Sequence, residues 1–283
     1  MNSRTTQKIA FVLLGLCTAI VVGVLFVLLY DIVSKGIGVV DWEFITQNPK
    51  NRMTEGGIFP AIVGTIVLSL GSILIAFPIG ALTAIYLTEY ARPGKALVLI
   101  NTGIMNLAGV PSIVFGLFGF AIFVLLFGFG TSIIAGSLTL ALMILPVIIK
   151  TSQEALLNVP RSFREASLAL GATKWQTVRS SVLPYAIPGI LTGSILGVSR
   201  AAGETAPILF TVAAYFLPRV PGSMFDQTMA LPYHLYILST QSINVRATQP
   251  LQYGTALVLL GIVLALNLTA ILLRFYFRRK YRW

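Results

Sequence analysis

The sequence predicts an all-α integral membrane protein with six transmembrane helices. Of its 283 residues, 56% are hydrophobic and only 10% are charged, whereas about a quarter of the residues in an ordinary soluble domain are charged. The mean hydropathy is +0.87. A transmembrane helix needs roughly 20 apolar residues. The long uncharged intervals place the six spans near residues 9–33, 59–88, 97–127, 132–150, 187–216 and 253–276.

The boundary between the third and fourth spans follows from length. Residues 96–149 form an uncharged interval of 54 residues, which as one helix would be about 80 Å long. The interval must therefore turn back. Its best turn signal is "GFGTS" at residues 128–132, because glycine permits the backbone conformations that tight turns require.

The distribution of lysine and arginine predicts the orientation. With both termini on one side, that side holds 14 of the 20 basic residues, among them Lys150 and Arg282; the opposite side holds five, and Arg200 lies inside a span. The positive-inside rule then places both termini in the cytoplasm. The net charge of +11 is thus a topology signal and gives no indication of nucleic-acid binding, because no extramembrane segment is long enough to form a folded domain.

Two segments, residues 34–55 and 217–246, are predicted to face outward. The second contains "LPYHLYIL" at residues 231–238, which includes His234, the only histidine. It is either a docking surface for an extracytoplasmic partner or an amphipathic helix at the bilayer interface, and the two are compatible. A lone histidine does not favour a metal site, and the single Cys17 excludes an internal disulfide. No cofactor is predicted.

The cytoplasmic segment after the fourth span is patterned as two short helices. The first begins either at Pro160 or at a capping box of Ser162 and Glu165. Gly171 ends it by permitting a left-handed conformation. Its apolar face is formed by residues at helical spacing, namely Phe163, Ala166 and Leu170.

A capping box of Thr173 and Gln176 begins the second helix. Pro184 and Pro188 are predicted to end it before the fifth span. Its apolar face comprises Trp175, Val178 and Val182. On helix pattern alone, the pair could be an amphipathic hairpin resting on the membrane.

The residues of this segment carry a family resemblance. "EASLALG" (residues 165–171), followed after nine residues by "SVLP" (181–184), resembles the signature loop of ABC-importer permeases, Glu-Ala-Ala-x3-Gly-x9-Ile-x-Leu-Pro. The sequence departs from this pattern at Ser167 and Ser181. The resemblance implies a type I permease fold with a cytoplasmic coupling helix between the fourth and fifth spans, in a coupling loop at 151–186. The residues it implies for contact with a separate ATPase subunit are Arg164, Glu165, Ala166, Gly171, Ala172, Leu183 and Pro184.

No G-x-x-x-x-G-K-[ST] motif occurs in the chain, so ATP binding is expected on another polypeptide. The chain itself is therefore predicted not to be an enzyme. We expect residues 1–58 to form an N-terminal anchor helix and outer loop, and residues 59–283 to form the permease domain.

The fifth span, which contains "SRAAGETAPILFT" at 199–211, carries Arg200 and Glu204. Each charge costs about 2.5–3.5 kcal/mol at the bilayer centre. One explanation is a self-neutralising ion pair between residues four apart. The other is a water-filled path in which Arg200 offers an anion a planar set of donors and Glu204 weakens the attraction between Arg200 and that anion. Ionisable groups within spans usually mark such a path, which favours the second explanation.

Small residues precede this pair at intervals of four, which predicts close helix packing. The stripe consists of Gly189, Gly193, Gly197, Ala201 and Thr205. Gly203 and Pro207 are expected to weaken the helix just beyond the midplane.

Three segments resemble the phosphate-specific branch of these permeases, and most closely its A-type subunit: "SRAAGETAPILFT", "GGIFPAIVGT" (56–65) and "GVPSIVFGLFGF" (109–120). The break at Pro111 and Ser112 either lines the path or is a packing kink. The resemblance implies a bacterial inner-membrane complex with a second related permease, two ATPase subunits and an extracytoplasmic phosphate-binding protein. The implied path residues are Arg200, Glu204, Ser199, Thr205 and Ser112.

Three alternatives follow from the same sequence. The same machine could carry another oxyanion such as sulfate, molybdate or a phosphonate, since one arginine does not distinguish them. A stand-alone channel or secondary carrier would be expected to show internal inverted repeats, which inspection does not find. A membrane enzyme would need clustered His, Asp or Cys, and the chain has one His and one Cys.

Overall fold

The computed structural model describes residues 3–53, 55–241 and 245–280, and these form twelve α-helices joined by turns and by longer segments such as 212–230. A two-stranded antiparallel ribbon pairs β1 (Pro49–Lys50) with β2 (Glu55–Gly56) in the first outer segment. The helices are α1 (Ser3–Gly36), α2 (Trp42–Thr46), α3 (Phe59–Ile85), α4 (Lys95–Ala108), α5 (Ser112–Gly119), α6 (Ile133–Leu157), α7 (Arg161–Ala169), α8 (Lys174–Thr177), α9 (Leu183–Gly203), α10 (Ala206–Thr211), α11 (Leu231–Thr240) and α12 (Val245–Lys280).

Five helical segments in the described part of the chain are long and apolar enough to cross a membrane: Ile9–Gly36, Phe59–Tyr90, Ile133–Leu157, Lys174–Gly203 and Thr248–Arg279. The pair of α4 and the helix Ser112–Leu126 makes a sixth if it is one broken span. The predicted all-α membrane architecture is confirmed, and it has six spans when the broken pair counts as one.

The break predicted at Pro111 and Ser112, within the third span at 97–127, is present in the structure. The span bends by 102° between α4 and α5. The chemical cause is Pro111, which has no N–H to donate and whose ring clashes with the carbonyl four residues earlier. Gly109 already closes α4 with a bond to the Asn106 carbonyl. After α5 the chain continues as a π-helical turn, Phe120–Leu126, before the predicted turn at 128–132.

That turn is confirmed, but the fourth span is longer than predicted. Gly128 and Gly130 have φ of 69° and 65°, and the Ser132 side chain caps α6. The helix does not stop near residue 150 but runs to Leu157. An uncharged interval ends at its first charge, whereas a helix continues as long as its residues pack. Ser152 and Leu156 are both fully buried, with 0% exposure, so packing continues the helix for seven residues beyond Lys150.

The fifth span begins earlier than predicted, and Pro184 and Pro188 do not end the preceding helix. The chain is helical without a break from Lys174 through α8, a π-helical turn (Val178–Val182) and α9. Pro184 lies in the first turn of α9, where the missing N–H is tolerated. The π turn joins the two helices, because Leu183 N–H donates to the carbonyl of Val178, five residues back.

The same span ends at Gly203, so the single helix predicted over 187–216 is wrong. Glu204 is extended, with φ −78° and ψ 136°, and α10 starts two residues later. Pro207 explains the break, because it has no N–H with which to bond the Gly203 carbonyl. The predicted weakness at Gly203 and Pro207 is thus a complete interruption.

Glycines bring the central helices α6 and α9 into close contact. A Cβ added to Gly189 would lie 2.5 Å from that of Ala155, and one on Gly197 would lie 3.4 Å from Ile148. Gly193 lies directly against Thr151. The predicted stripe of small residues is therefore the α6–α9 interface. Around it, α3, α5 and α10 complete a buried core that includes Leu140, Ile144, Ile148 and Ile208.

On the outer side, α11 packs against α3 and α12 and covers the start of α3. Leu231 N–H donates to Thr65 Oγ1 at 2.8 Å, and Leu231, Ile237 and Leu238 join the outer apolar cluster with Phe44. His234 is only 3% exposed, and its Nδ1 has no hydrogen-bond partner among the described residues. This stretch is therefore not only an interfacial helix, because its histidine faces the protein interior.

The buried His234 predicts a pH dependence of stability. Burial lowers its pKa from 6.5 to about 4, so between these values the unfolded chain binds more protons than the folded one, and stability falls as the pH is lowered from 6.5 to 4. The loss amounts to about 3 kcal/mol. In the His234→Leu variant, thermal unfolding in detergent should lose much less stability over this pH range than in the parent. Equal pH dependence in the two proteins would contradict this.

Candidate coupling loop and translocation site

Local sequence signals build the cytoplasmic helix–turn–helix, which consists of α7, the turn and α8. Pro160, in an extended conformation, occupies the cap position of α7, and the predicted capping box of Ser162 and Glu165 does not form. The reason is position, because Ser162 already lies in the first helical turn. Gly171 follows α7 with φ of +82°, as predicted. The capping box of α8 is confirmed: Gln176 N–H donates to Thr173 Oγ1 at 3.3 Å, and Thr173 N–H donates to Gln176 Oε1 at 2.8 Å.

This unit leaves an apolar surface uncovered. Leu170 is 90% exposed and Trp175 is 52% exposed. Between α7 and the start of α9 lies a groove of about 510 Å³, lined by Phe163, Ala166, Leu170, Ser181 and Tyr185, among others. The apolar face predicted for α7 therefore lines a cytoplasmic groove and is not buried against the rest of the chain. On the apolar face predicted for the second helix, by contrast, the side chains of Val178 and Val182 are fully buried.

Arg164 fastens α7 to the ends of two membrane spans. Its Nη2 lies 2.6 Å from Glu89 Oε1, and its Nε lies 3.1 and 3.2 Å from the two carboxylate oxygens. Nη1 donates to the Val159 carbonyl at 2.8 Å, and Nη2 donates to that of Leu156 at 2.9 Å. The two charged side chains are only 19% and 8% exposed. We refer to this arrangement of Arg164, Glu89 and the two carbonyls as the Arg164 clamp.

The other residues predicted for ATPase contact divide into two groups. Glu165 and Ala166 are exposed on α7, and Gly171 is exposed in the turn. Ala172, Leu183 and Pro184 are half-buried, and Leu183 packs against the cytoplasmic apolar cluster. Only the first group presents a surface to another subunit. The second group belongs to the packing that joins the turn to α9.

Arg200 and Glu204 form an ion pair at the end of α9. Arg200 Nε lies 3.3 Å from Glu204 Oε1, and the side chains are 37% and 19% exposed. Within the described part of the chain, neither terminal guanidinium nitrogen of Arg200 makes a hydrogen bond. Two donor groups therefore remain for a ligand, and a planar guanidinium presents them in the geometry that oxyanions accept.

The neighbouring path candidates have different surroundings. Ser199 donates to the Ile195 carbonyl at 2.9 Å and also contacts Asn267 Oδ1 on α12. Thr205 precedes α10 in the break after α9. Ser112 begins α5, one turn before Gly116, which packs against Ala206 at the start of α10. The two helix breaks of the third and fifth spans are thus joined by the α5–α10 contact.

Sequence patterns did not reveal three residues of these sites. Glu89 lies 75 positions from Arg164, Asn267 lies 68 positions from Ser199, and Asn101 lies 49 positions from Lys150, to which it is hydrogen-bonded. Each of the three is a polar residue within or beside an apolar segment, and this is the sequence signal that could have indicated it.

A bundle of this kind, with a capped helix–turn–helix between its fourth and fifth spans, defines the membrane-spanning subunit of an ABC importer. The model of the family described as "Binding-protein-dependent transport system inner membrane component" matches residues 76–283, and the chain belongs to that family. It is a multi-pass membrane transport subunit.

Similar curated proteins cover most of the chain. A probable ABC transporter permease protein, YqgI of Bacillus subtilis (strain 168), is 35% identical over 95% of both chains. The phosphate transport system permease protein PstA 2 of Mycobacterium bovis is 35% identical over 94% of this chain and 86% of the relative. PstA 1 of Mycobacterium tuberculosis (strain H37Rv) is 36% identical over 90% and 83%.

Solved structures share the fold at low identity. A chain of a bacterial ABC transporter that imports alginate matches with a TM-score of 0.68 at 14% identity, over 96% of this chain and 98% of the other. A chain of the inward-facing MetNI methionine transporter matches with a TM-score of 0.58 at 20% identity, over 78% and 94%. The predicted ABC-importer permease fold is confirmed.

The Arg164 clamp predicts a stability effect at Glu89. In Glu89→Gln, the largely buried guanidinium of Arg164 loses its counter-charge, and the free energy of unfolding should fall by roughly 2–3 kcal/mol. This loss is smaller than for a fully buried ion pair, because Arg164 keeps its hydrogen bonds to the two carbonyls and some contact with solvent. Glu154→Gln is the matched control, because Glu154 is an exposed carboxylate of α6 outside the residues predicted for ATPase contact. Thermal unfolding of the purified complex measures both. Equal midpoints for the two variants would contradict the assignment.

Proposed function

We propose that this chain is one of two related permease subunits of an ATP-driven importer of inorganic phosphate. The geometry that carries the proposal is the half-exposed Arg200 at a helix break, whose two terminal nitrogens make no hydrogen bond within the described part of the chain. The substrate class is supported by relatives named as phosphate transport permeases at about 35% identity. Glu204 weakens the positive field, so that the anion is held and then released, as conduction requires.

The proposed complex contains two ATPase subunits, a second permease and an extracytoplasmic phosphate-binding protein. Residues 59–283 form the permease body, and residues 1–58 contribute a flanking helix and an outer loop. Both termini face the cytoplasm of a bacterium, as the distribution of basic residues indicates. No covalent chemistry occurs in this chain, and ATP is hydrolysed by the ATPase pair.

Alternating access provides the mechanism. ATP binding closes the ATPase dimer, which moves the exposed face of α7 and the adjoining groove. The Arg164 clamp passes this displacement to the ends of α3 and α6, and the unbroken helix from Lys174 passes it to Arg200. The helix break at Glu204 then opens outward to receive the anion, and hydrolysis returns the path to the inward-facing state.

Uptake by proteoliposomes containing the whole complex tests the substrate. With ATP inside and the binding protein outside, we expect accumulation of labelled phosphate in excess of labelled sulfate. Arg200→Gln should reduce phosphate uptake at least a hundredfold at unchanged abundance, because the anion loses its charged partner. Preferential uptake of sulfate would establish the other oxyanion. Phosphate flux through this chain alone, without nucleotide, would instead show a channel or a secondary carrier.

Gly171 offers the sharpest test of coupling. Its φ of +82° disfavours any β-branched side chain, although space for a Cβ is open. In Gly171→Val, ATP hydrolysis should continue while phosphate transported per ATP falls severalfold, because the turn between α7 and α8 distorts. Gly171→Asn is the control, because asparagine tolerates this conformation. Normal coupling in both variants would remove the coupling role from this turn.

A further inference from the structure

An apolar cleft between three of the membrane-spanning helices has no role in the proposed function. It has a volume of about 430 Å³ and lies between α3, α9 and α12. Leu74 of α3 and Leu273 of α12 line two of its walls, and they are 73% and 51% exposed. The cleft is therefore open to whatever surrounds the chain in the membrane.

The side chains of the cleft offer a ligand no free polar group. Its lining includes no charged residue, and Ser194 is the one polar residue in it. The Ser194 hydroxyl is already used, because its Oγ donates to the Ile190 carbonyl at 3.3 Å. A polar ligand would lose its hydrogen bonds to water on entering such a space and would gain none. The part of a ligand that lies in the cleft must therefore be apolar.

The three helices give the cleft a direction across the membrane. The helix that contains α9 starts at the cytoplasmic helix–turn–helix and runs outward, whereas α12 leaves the outer apolar cluster at Leu251 and runs inward. The α9 wall extends from Leu191 to Val198, which is about 10 Å along the helix axis. At the outer end, Ser199 contacts Asn267 of α12. The inner end lies toward the cytoplasmic side.

Arg274 stands at the inner end of the cleft. It follows the lining residue Ala270 by four positions, so it lies on the same face of α12 one turn further inward. It is half-buried, and within the described part of the chain it forms no ion pair or hydrogen bond. Arg278, one turn further on, is exposed. Residues 245–283 contain no Asp or Glu, so no acidic residue of this segment offsets these charges.

An inner-leaflet phospholipid with an anionic headgroup matches both features of the site. Its acyl chain is apolar, as the cleft requires, and its negative charge lies at the level of a basic residue at a helix end. Basic pockets between transmembrane helices on the cytoplasmic side bind such headgroups. A helix of another subunit fits less well. One helical turn, about 10 Å wide and about 5 Å long, occupies roughly 400 Å³, so the cleft would admit only a single turn.

We infer that this cleft is a binding site for an anionic phospholipid, whose acyl chain lies between α3, α9 and α12 and whose headgroup is bound by Arg274. The inference goes beyond the proposed function and does not depend on which anion is transported. The bound lipid joins α12 to α3 and α9 where their own side chains leave a gap. Because lipid tails are as apolar as leucine, selectivity comes from the charge of the headgroup and not from the acyl chain.

Photocrosslinking of the reconstituted complex tests the site. The vesicles are phosphatidylcholine with a trace of phosphatidylglycerol that carries a photoactivatable group in its acyl chain, or of phosphatidylcholine with the same group. Mass spectrometry quantifies the labelled peptides. The apolar surface of α1 is the internal reference for bulk lipid, since Phe11, for example, is 66% exposed. Relative to α1, labelling of residues 191–198 should be about fivefold higher with phosphatidylglycerol, as expected for one basic residue acting on an anionic lipid.

Three variants of α12 distinguish a site from general attraction to a basic helix end. Arg274→Gln should lower phosphatidylglycerol labelling of the cleft about fivefold. Arg279→Gln is the matched control, because Arg279 is exposed and lies about 140° around the helix from Arg274. It loses the same charge and should label as the parent does. Ala270→Phe keeps both arginines but fills the cleft, so it should lower labelling by both lipids.

Each outcome decides the inference. Equal labelling of Arg274→Gln and Arg279→Gln overturns it, as does equal labelling of the parent by the two lipids. Labelling of α1 without labelling of the cleft also overturns it, and would show that another subunit covers this surface. Parent-like labelling of Ala270→Phe would place the acyl chain elsewhere. If Ala270→Phe does not assemble, the comparison of the two arginine variants decides alone.

Discussion

The close contact between α6 and α9 is the constraint on which the rest of the structure depends. It exists because Gly189, Gly193 and Gly197 present no side chain to Ala155, Thr151 and Ile148. In a lipid environment, helices associate through such packing, because lipid tails are as apolar as leucine. The contact fixes the antiparallel register of the two helices. It thereby sets the position of Arg200 relative to α6 and packs the fourth and fifth spans against each other.

The cytoplasmic unit extends this body beyond the membrane. The helix that begins after the Thr173 cap reaches Gly203 without a break, because a π turn joins α8 to α9. The Arg164 clamp adds a second connection, from α7 to Glu89, to the Leu156 carbonyl at the end of α6 and to the Val159 carbonyl just after it. Short rigid helices held in this way transmit a displacement, whereas a flexible loop would absorb it. The helices of the third and fifth spans are interrupted instead at Pro111 and Glu204.

Sequence reasoning succeeded where the determinants are local. The turn at Gly171 and the Thr173–Gln176 cap depend on residues within three or four positions of each other, and both were predicted. Sequence reasoning failed where the structure depends on contacts between residues far apart in the chain. The end of α6 at Leu157 depends on burial against other helices, and the Arg164–Glu89 pair joins positions 75 residues apart. Pro184 misled the prediction, because a proline in a first helical turn is read from sequence as an interruption although it can start a helix.

Distance measurement between two spin labels tests most directly whether the cytoplasmic unit (α7, the turn and α8) moves together with the fourth and fifth spans. Labels at Leu168 on α7 and Leu142 on α6 use exposed side chains, at 51% and 39% exposure, and the labelled complex must retain ATP-driven uptake. The account predicts one narrow distance distribution that is the same in the nucleotide-free and ATP-bound complexes. A shift or a marked broadening on ATP binding would show that α7 moves independently of the spans, which would contradict the account.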